Sequence, residues 1–285
     1  MEDLGKKLNE LCNAQPFNMA WHVKDVTSGK SADRAGSMVV ASRSTRKVSI
    51  MMALLKAIND GAFSMTEQIR ILEKYQNTTS GVTPFLLPNL ELSLRDAMIL
   101  MIIVSDNPCT ATIVDMLGTE YINKYCQSIG MKHTIHRFSL PLPTTDLNVN
   151  TVISARDQGL LLEMILKGSR REAEAANLGC TMEQCRFALN VMSWQRCDLK
   201  IASMLPVLWP PNPNKGAMVA GKGGIGPGMH CETGIVFRDG KPLFILCMYT
   251  WDVPETLHDG TPGAAGVSRF MGLLARTVWD ALSGM

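Results

Sequence analysis

Strand-like runs sit at both ends of this chain with a long helical stretch between them, and that order limits its possible folds more than any other feature. The segment from Phe17 to Lys30, FNMAWHVKDVTSGK, alternates loosely and ends in a Ser-Gly turn, as a strand and hairpin would. GSMVVAS, residues 36–42, reads as a further strand, and AMVAGKG, TGIVFRDG and PLFILCMYTW follow late in the chain. Residues 3–13 place Leu4, Leu8 and Leu11 on one helical face, and a last amphipathic helix is predicted over 263–282. The order therefore runs helix, two strands, helical middle, three strands, helix. It predicts an α/β chain of the α+β kind, with one antiparallel sheet assembled from both chain ends, flanked by the terminal helices, and an all-helical lobe inserted between them. Residues 1–43 and 200–285 would form the discontinuous sheet-containing lobe and 44–199 the helical lobe, with a cleft between the two.

Within the helical stretch, a periodic pattern starts at Ser44, continues through Met51, Leu54, Leu55 and Ile58, and stops at Asn59-Asp60-Gly61. Ser93 reads as a cap with Asp96 in the fourth place of a capping box. The body that follows, LRDAMILMIIVS, is apolar on nearly all sides and so should be buried. Pro108 suits the first turn of a further helix that Gly118 closes. RFSLPLPTTDLNVN, residues 137–150, has two prolines and no period, and reads as a loop. Helical signal resumes over 154–167 and 181–197. In the proline-rich segment that follows, Trp209 with Pro206, Pro210, Pro211 and Pro213 either walls the cleft or stiffens the crossing between lobes.

Composition narrows the partners. The 285 residues are 46% hydrophobic and 19% charged, which describes a well-buried protein. A net charge of +2 from scattered Lys and Arg gives no stripe for nucleic acid. No apolar run reaches the roughly 18 residues of a membrane span, so no membrane partner is expected. The opening residues lack the apolar core of a secretory signal, which predicts a cytoplasmic protein. None of the eight cysteines forms a CxxC pair, and the five histidines have no metal-ligand spacing. The expectation is free buried thiols in a reducing compartment, with no metal and no cofactor. The nineteen methionines read as core filler.

Three polar islands carry the chemistry. In Ser44-Thr45-Arg46-Lys47, residues three apart at a helix start share a face, so Lys47 can reach the Ser44 hydroxyl. A hydroxyl is a poor nucleophile without an adjacent base, and lysine serves as one only when desolvation or a neighbouring cation lowers its pKa. The apolar run after Val48 supplies the desolvation. Among the serines of the chain, only Ser44 has Lys three places on. Arg46 reads as a solvated side chain in preference to a substrate contact. The second island, Ser105-Asp106-Asn107, is either a helix stop and restart or a site in which Ser105 relays a proton and Asn107 offers its amide. The third, GKGGIGPG from Gly221 to Gly228, is either a bulged hairpin or a strand that lets another backbone or a ligand approach closely; its spacing is not that of a phosphate loop.

Taken together and in this order, the islands resemble the SxxK, SDN and KTG signature of the serine penicillin-recognising enzymes: class A β-lactamases, D,D-peptidases and related hydrolases. LELSLRDAMILMIIVSDNPCTATIVDMLG, MSWQRCDLKIASMLP and VAGKGGIGPGMHCETGIVF are similar to family segments along their whole length, and the resemblance runs from about Ala20 to the end. It implies a serine hydrolase cleaving an amide, lactam, carbamate or ester of a small molecule. Ser44 would form the acyl-enzyme and Lys47 would take its proton. Ser105 would protonate the leaving nitrogen, Asn107 would hold a substrate amide, and Lys222 would hold Ser105 and add positive potential. The N–H groups of Ser44 and Ile225 would form the oxyanion hole, with Gly223 and Gly224 completing the substrate-binding strand.

Three departures stand out. The loop 137–150 has no glutamate to activate a deacylating water; Ser139 falls where the acid is expected, and Asp146, its only carboxylate, is the possible replacement base. Gly223 replaces the usual Thr or Ser of the third motif. His230 stands where many relatives carry an anion-binding arginine. These changes argue against carboxylate-bearing, penicillin-like substrates and leave open a true β-lactamase or D,D-peptidase-like activity, a transacylase, and a non-enzymatic protein that traps an acyl group.

Overall fold

The computed structural model describes all residues except Asn77, Thr79, Pro141–Pro143, Thr145, Asp198, Leu199, Trp209–Pro211, Pro213 and Met285. The two roles weighed for Trp209 and its neighbouring prolines concern a segment mostly outside the described residues.

Helix α1 (Glu2–Asn13) leads into β1 (Asn18–Asp25) and β2 (Ser31–Arg34), and β3 is a two-residue strand (Val40–Ala41). A single 3₁₀ turn, Arg43–Arg46, opens α2 (Lys47–Asn59). Then come β4 (Gln68–Arg70), β5 (Glu91–Ser93), α3 (Leu94–Ile103), α4 (Asn107–Leu117) and α5 (Thr119–Ser128). After β6 (Val152–Ile153) the chain runs through α6 (Ala155–Gly168), α7 (Glu172–Ala176) and α8 (Met182–Ser193). Strands β7 (Ala217–Gly226), β8 (Met229–Arg238) and β9 (Lys241–Trp251) precede α9 (Gly263–Leu282).

The five-stranded sheet has the order β2-β1-β9-β8-β7 and is antiparallel throughout, so strands from both chain ends meet at the β1–β9 pair. No single stretch of chain makes the sheet. GSMVVAS contributes only β3, which pairs with β6 outside that sheet.

Strand β9 explains why the sheet is covered on both faces. Its side chains alternate with the period of two that a pleated strand imposes. Phe244, Leu246 and Met248 join a core with Leu8, Trp21, Phe270 and Trp279, built on α1 and α9. Ile245, Cys247 and Tyr249 join the larger core with α2, α3, α4 and α6, through residues such as Leu54, Met98, Ile113 and Leu162.

Helix α2 lies at the centre of that second core. Ile50, Met51, Met52, Leu54 and Leu55 are fully buried, each worth about 1.5–3 kcal/mol against exposure. A helix buried on every side holds its first residues rigidly, and those residues are the first polar island. The caps of the neighbouring helices follow the sequence: Ser93 Oγ accepts the Asp96 N–H, and Gly118 ends α4 at φ 76°. Among the described residues, no helix is long and apolar enough to cross a membrane.

Candidate active site

Ser44 lies in the 3₁₀ turn before α2, and Lys47 is the first residue of α2 itself. Ser105 and Asn107 come from the α3–α4 junction, and Lys222 to Ile225 from β7, an edge strand of the sheet. All of them line one cavity of about 870 Å³, apart from Lys47, which lies beneath it. The structure thus brings the three islands together.

Lys47 is 1% exposed. Its Nζ donates to the Ser105 carbonyl at 2.8 Å, to Ser105 Oγ at 3.0 Å and to Asn107 Oδ1 at 2.8 Å. Burial drives its pKa well below that of a free lysine, and the nearby charges of Lys222 and Arg46 push it the same way, against a weaker pull from Asp106. Lysine here is an amine inclined to be neutral.

The turn that presents Ser105 is strained and held. Ser105 takes the left-handed conformation at φ 57°, uncommon for a residue with a Cβ. Asp106, fully buried, fixes it: its carboxylate accepts from the N–H groups of Val82, Thr83 and Cys109 and from the Thr83 hydroxyl. Asp106 also caps α4. The second island is therefore a helix restart and a polar contributor to the cavity at once. Ser80 adds a donor to the Ser105 carbonyl at 2.9 Å.

On β7 the glycine run continues in register with β8, from Gly221↔Gly234 to Gly226↔Met229; the sheet's irregularity falls at Val236/Phe237, where β8 pairs with β9. Close approach is what the glycines allow. A Cβ on Gly224 would stand 2.7 Å from the Ser44 nitrogen and 2.8 Å from Arg43 Cβ, distances no side chain tolerates. Lys222 is 1% exposed and donates to the Gly223 carbonyl at 2.8 Å, rather than to Ser105. Burial lowers its pKa to about 8. Ile225 is 67% exposed at the cavity mouth. His230 is buried there, its Nδ1 has no partner among the described residues, and burial followed by Lys200 holds its pKa below the usual imidazole value.

Two expectations need correcting. Arg46 is not solvated: it is 1% exposed, and its guanidinium donates to the carbonyls of Phe138 at 2.5 Å and Ser139 at 2.6 Å, and to Thr151 Oγ1 at 3.4 Å. It clamps the start of the loop 137–150 against the Ser44 turn, and burial lowers its pKa to about 10. The loop's carboxylate does not reach the site. Asp146 is exposed, closes a local turn by accepting the Asn148 N–H at 2.8 Å, and does not line the cavity. The Ser139 hydroxyl is likewise turned away, donating to Asp115.

Lys200 and Arg269, which sequence reading missed, also line the cavity. Lys200 is 5% exposed, and its Nζ would lie 3.9 Å from a Cβ on Gly223, so a cation occupies the quarter where a motif hydroxyl would otherwise project. Arg269 arrives from α9. Neither belongs to a local pattern, so no linear signal pointed to them. Among the described residues that line this cavity, none is Asp or Glu.

Residues 3–282 match the profile of the Beta-lactamase enzyme family. No curated protein sequence matches significantly. Among solved structures, a β-lactamase from Sphaerobacter thermophilus superimposes with a TM-score of 0.83 at 20% identity, covering 100% of this chain and 99% of that one. A β-lactamase from Chitinophaga pinensis gives 0.81 at 18%, covering 98% and 99%. A PBP-A mutant solved as an acyl-enzyme complex with penicillin G gives 0.80 at 21%, covering 100% and 98%.

Proposed function

The chain belongs to the β-lactamase enzyme family, and we propose that it is a serine hydrolase opening an amide, lactam, carbamate or ester bond of a small molecule through an acyl-Ser44 intermediate. The observation that carries this reading is the buried Lys47 amine, hydrogen-bonded to Ser105 Oγ and Asn107 beside a cavity that Ser44 lines. A neutral amine has two hydrogens and one lone pair. In the neutral form the Ser105 carbonyl and Asn107 Oδ1 take those hydrogens, so the lone pair meets the Ser105 hydroxyl at 3.0 Å, which then donates to the amine and can hand it a proton.

In acylation, Ser44 Oγ attacks the carbonyl carbon while its proton passes to Lys47. The oxyanion is met by the Ser44 and Ile225 N–H groups. As the C–X bond breaks, the Lys47 proton returns through Ser105 to the leaving atom. Water then attacks the ester, its proton again taken by Lys47 and Ser105, and Ser44 leaves as the free hydroxyl with a carboxylic acid as product. Lys200, Lys222 and Arg269, with no carboxylate among the described lining residues, favour a substrate that carries negative charge. That preference reverses the one drawn from Gly223 and His230 alone.

A second reading, an acyl-trapping protein with negligible turnover, is favoured by one observation: no carboxylate lines the cavity among the described residues to activate water. Intact-mass measurement over time against lactams, amides and activated esters, anionic and neutral, tests both. A Ser44-dependent adduct that decays with product release supports the hydrolase, and a permanent one supports the trap. Adduct or turnover surviving Ser44→Ala would reject the covalent mechanism.

A further inference from the structure

One cysteine stands apart from the other seven. All eight are free thiols, and among the described residues, which include all of them, only Cys197 is exposed. Burial raises the pKa of each of the others, which leaves them protonated and inert. The expectation of buried thiols therefore holds for seven and fails at Cys197, which lines the catalytic cavity together with Ser44.

The thiol is carried on an anchored stretch of backbone. The Cys197 N–H donates to the Ile103 carbonyl at 3.3 Å and to Gln195 Oε1 at 3.2 Å. Gln195 Nε2 donates in turn to the carbonyls of Ile102 at 3.2 Å and Gly221 at 3.1 Å, so the segment is tied to α3 and to β7 at once. A thiol reacts as its thiolate, and reactive cysteines sit in exposed, electropositive surroundings. Lys200, Lys222 and Arg269 line the same cavity, and no Asp or Glu is among its described lining residues.

Lys200 shows what a reagent for this thiol should carry. It is 5% exposed. Its backbone is engaged, the N–H donating to Glu232 at 2.6 Å and the carbonyl accepting from Ser203 Oγ at 2.6 Å, but its Nζ has no partner among the described residues. The Nζ would stand 3.9 Å from a Cβ on Gly223, another lining residue, and so faces the cavity. His230 Nδ1 is enclosed without a partner; Lys200 Nζ is not enclosed in that way. An amine held this deep without a partner calls for an anion. Arg269, exposed on α9, adds a second cation, and the fully buried Glu232 is outside the lining.

We propose that Cys197 is a modification site at which a small carboxylate-bearing disulfide exchanges with the thiol, leaving a mixed disulfide that occupies the catalytic cavity and shuts off acylation of Ser44. The Cys197 thiolate attacks one sulfur of the reagent R–S–S–R. That S–S bond breaks, a Cys197–S–S–R bond forms, and the second half leaves as a thiolate that takes up the proton Cys197 gave to water. Cys197 is oxidised, one half of the reagent is reduced, and an excess of free thiol reverses the exchange. A carboxylate of the attached half pairs with Lys200 and Arg269. The modification is independent of the reaction at Ser44; only the block rests on the acyl-enzyme reading.

Incubating the full chain with oxidised glutathione, which is anionic, or with cystamine, which is cationic, tests it by intact mass and peptide mapping. The expected product is a single glutathionyl adduct on Cys197. It should form about ten-fold or more faster than the cystamine adduct, once each rate is divided by that of a free cysteine peptide. The Lys200→Ala/Arg269→Ala double variant should lose that preference and remain modifiable, and Cys197→Ser should take up neither reagent. Acetylation of Ser44 by p-nitrophenyl acetate, located by peptide mapping, should fall about ten-fold or more after glutathionylation and return on reduction. Cys197→Ser treated alike should keep its own untreated rate. No adduct, an adduct on another cysteine, equal normalised rates for the two reagents, or a preference that survives the double variant would overturn the site. An adduct on Cys197 with acetylation of Ser44 undiminished would overturn the block. The adduct is scored without any substrate, so the site and the acyl-Ser44 chemistry fail separately.

Discussion

Two charged regions of this molecule are built on opposite plans. Behind β1 and α6, cations meet carboxylates: Lys24 and Lys167 both reach Glu163, at 2.6 and 2.9 Å, and Arg156 reaches Asp33 at 2.7 Å. Around Ser44 the buried cations Arg43, Arg46, Lys47, Lys200 and Lys222 cluster instead, and no Asp or Glu is among the described residues that line the cavity. The pKa directions follow the plans. At Glu163 burial works to raise the pKa, but the two lysines outweigh it and hold the acid ionised. At Lys47 burial and like charges act together and push the pKa down. Pairing fixes a charge in place; crowding like charges in a buried pocket makes one easier to lose, and an amine that gives up its proton readily beside a hydroxyl is what general-base chemistry needs.

The sharpest way to break the comparison is Lys47→Met, which keeps the volume and removes the base. Acylation measured by intact mass should fall by about 10²–10⁴-fold, the usual worth of a positioned base. Acylation at the wild-type rate would mean that the crowded cations serve no chemical purpose. Gly224→Ala comes next. The new Cβ, 2.7 Å from the Ser44 nitrogen, forces β7 and the Ser44 turn apart. Unfolding in denaturant should show a loss of about 1–3 kcal/mol, and acylation should fall by about 10–10²-fold as the oxyanion donors separate.

Arg46 separates charge from scaffold. Arg46→Gln removes a cation whose field helps depress Lys47. Lys47 accepts a proton only when neutral, that is, above its pKa, so raising that pKa moves the acid limb of the acylation pH profile to higher pH. The same change leaves the Phe138 and Ser139 carbonyls short of donors, at about 1–3 kcal/mol. Arg46→Lys keeps the charge and loses the fork, so the acid limb should stay while thermal stability drops. A limb that moves equally in both variants would show Arg46 acting through the loop alone.

Arg46 also marks where sequence reading stops. The sheet and the buried helix α2 were legible because strand alternation and an all-apolar helix are local patterns. The three islands were legible because each is contiguous. Helix α5 was not: TEYINKYCQS is largely polar, begins just after the Gly118 stop, and buries little beyond Ile122, Tyr125 and Cys126. Arg46 read as solvated because its partners are backbone carbonyls about ninety residues away, and carbonyls leave no trace in residue type. Lys200 and Arg269 come to one cavity because the 3₁₀ turn Ile201–Met204, next to Lys200, packs on α9. Asp146 failed for the converse reason, a suitable residue type in the right loop but folded into its own turn.

The smallest effect belongs to the paired region. Lys24→Met breaks a bond of 2.6 Å in which Glu163 keeps Lys167 as a second partner, so stability near neutral pH should fall by about 1 kcal/mol or less. The pH dependence carries more information than the size. Glu163 has its folded pKa below the usual 4.5, so its contribution is present above that value and is lost as pH falls through the folded pKa. The gap between wild type and variant in urea unfolding should therefore close on acidification. Lys222 behaves oppositely: its folded pKa of about 8 lies below the unfolded 10.5, so its burial costs stability at neutral pH and the cost is relieved as pH climbs between the two. Lys222→Met should accordingly gain most over wild type below pH 8 and least near 10.5, whereas Lys24→Met should show no change across that range. Parallel curves for the two variants would erase the distinction between a charge that its partners hold and a charge that burial opposes.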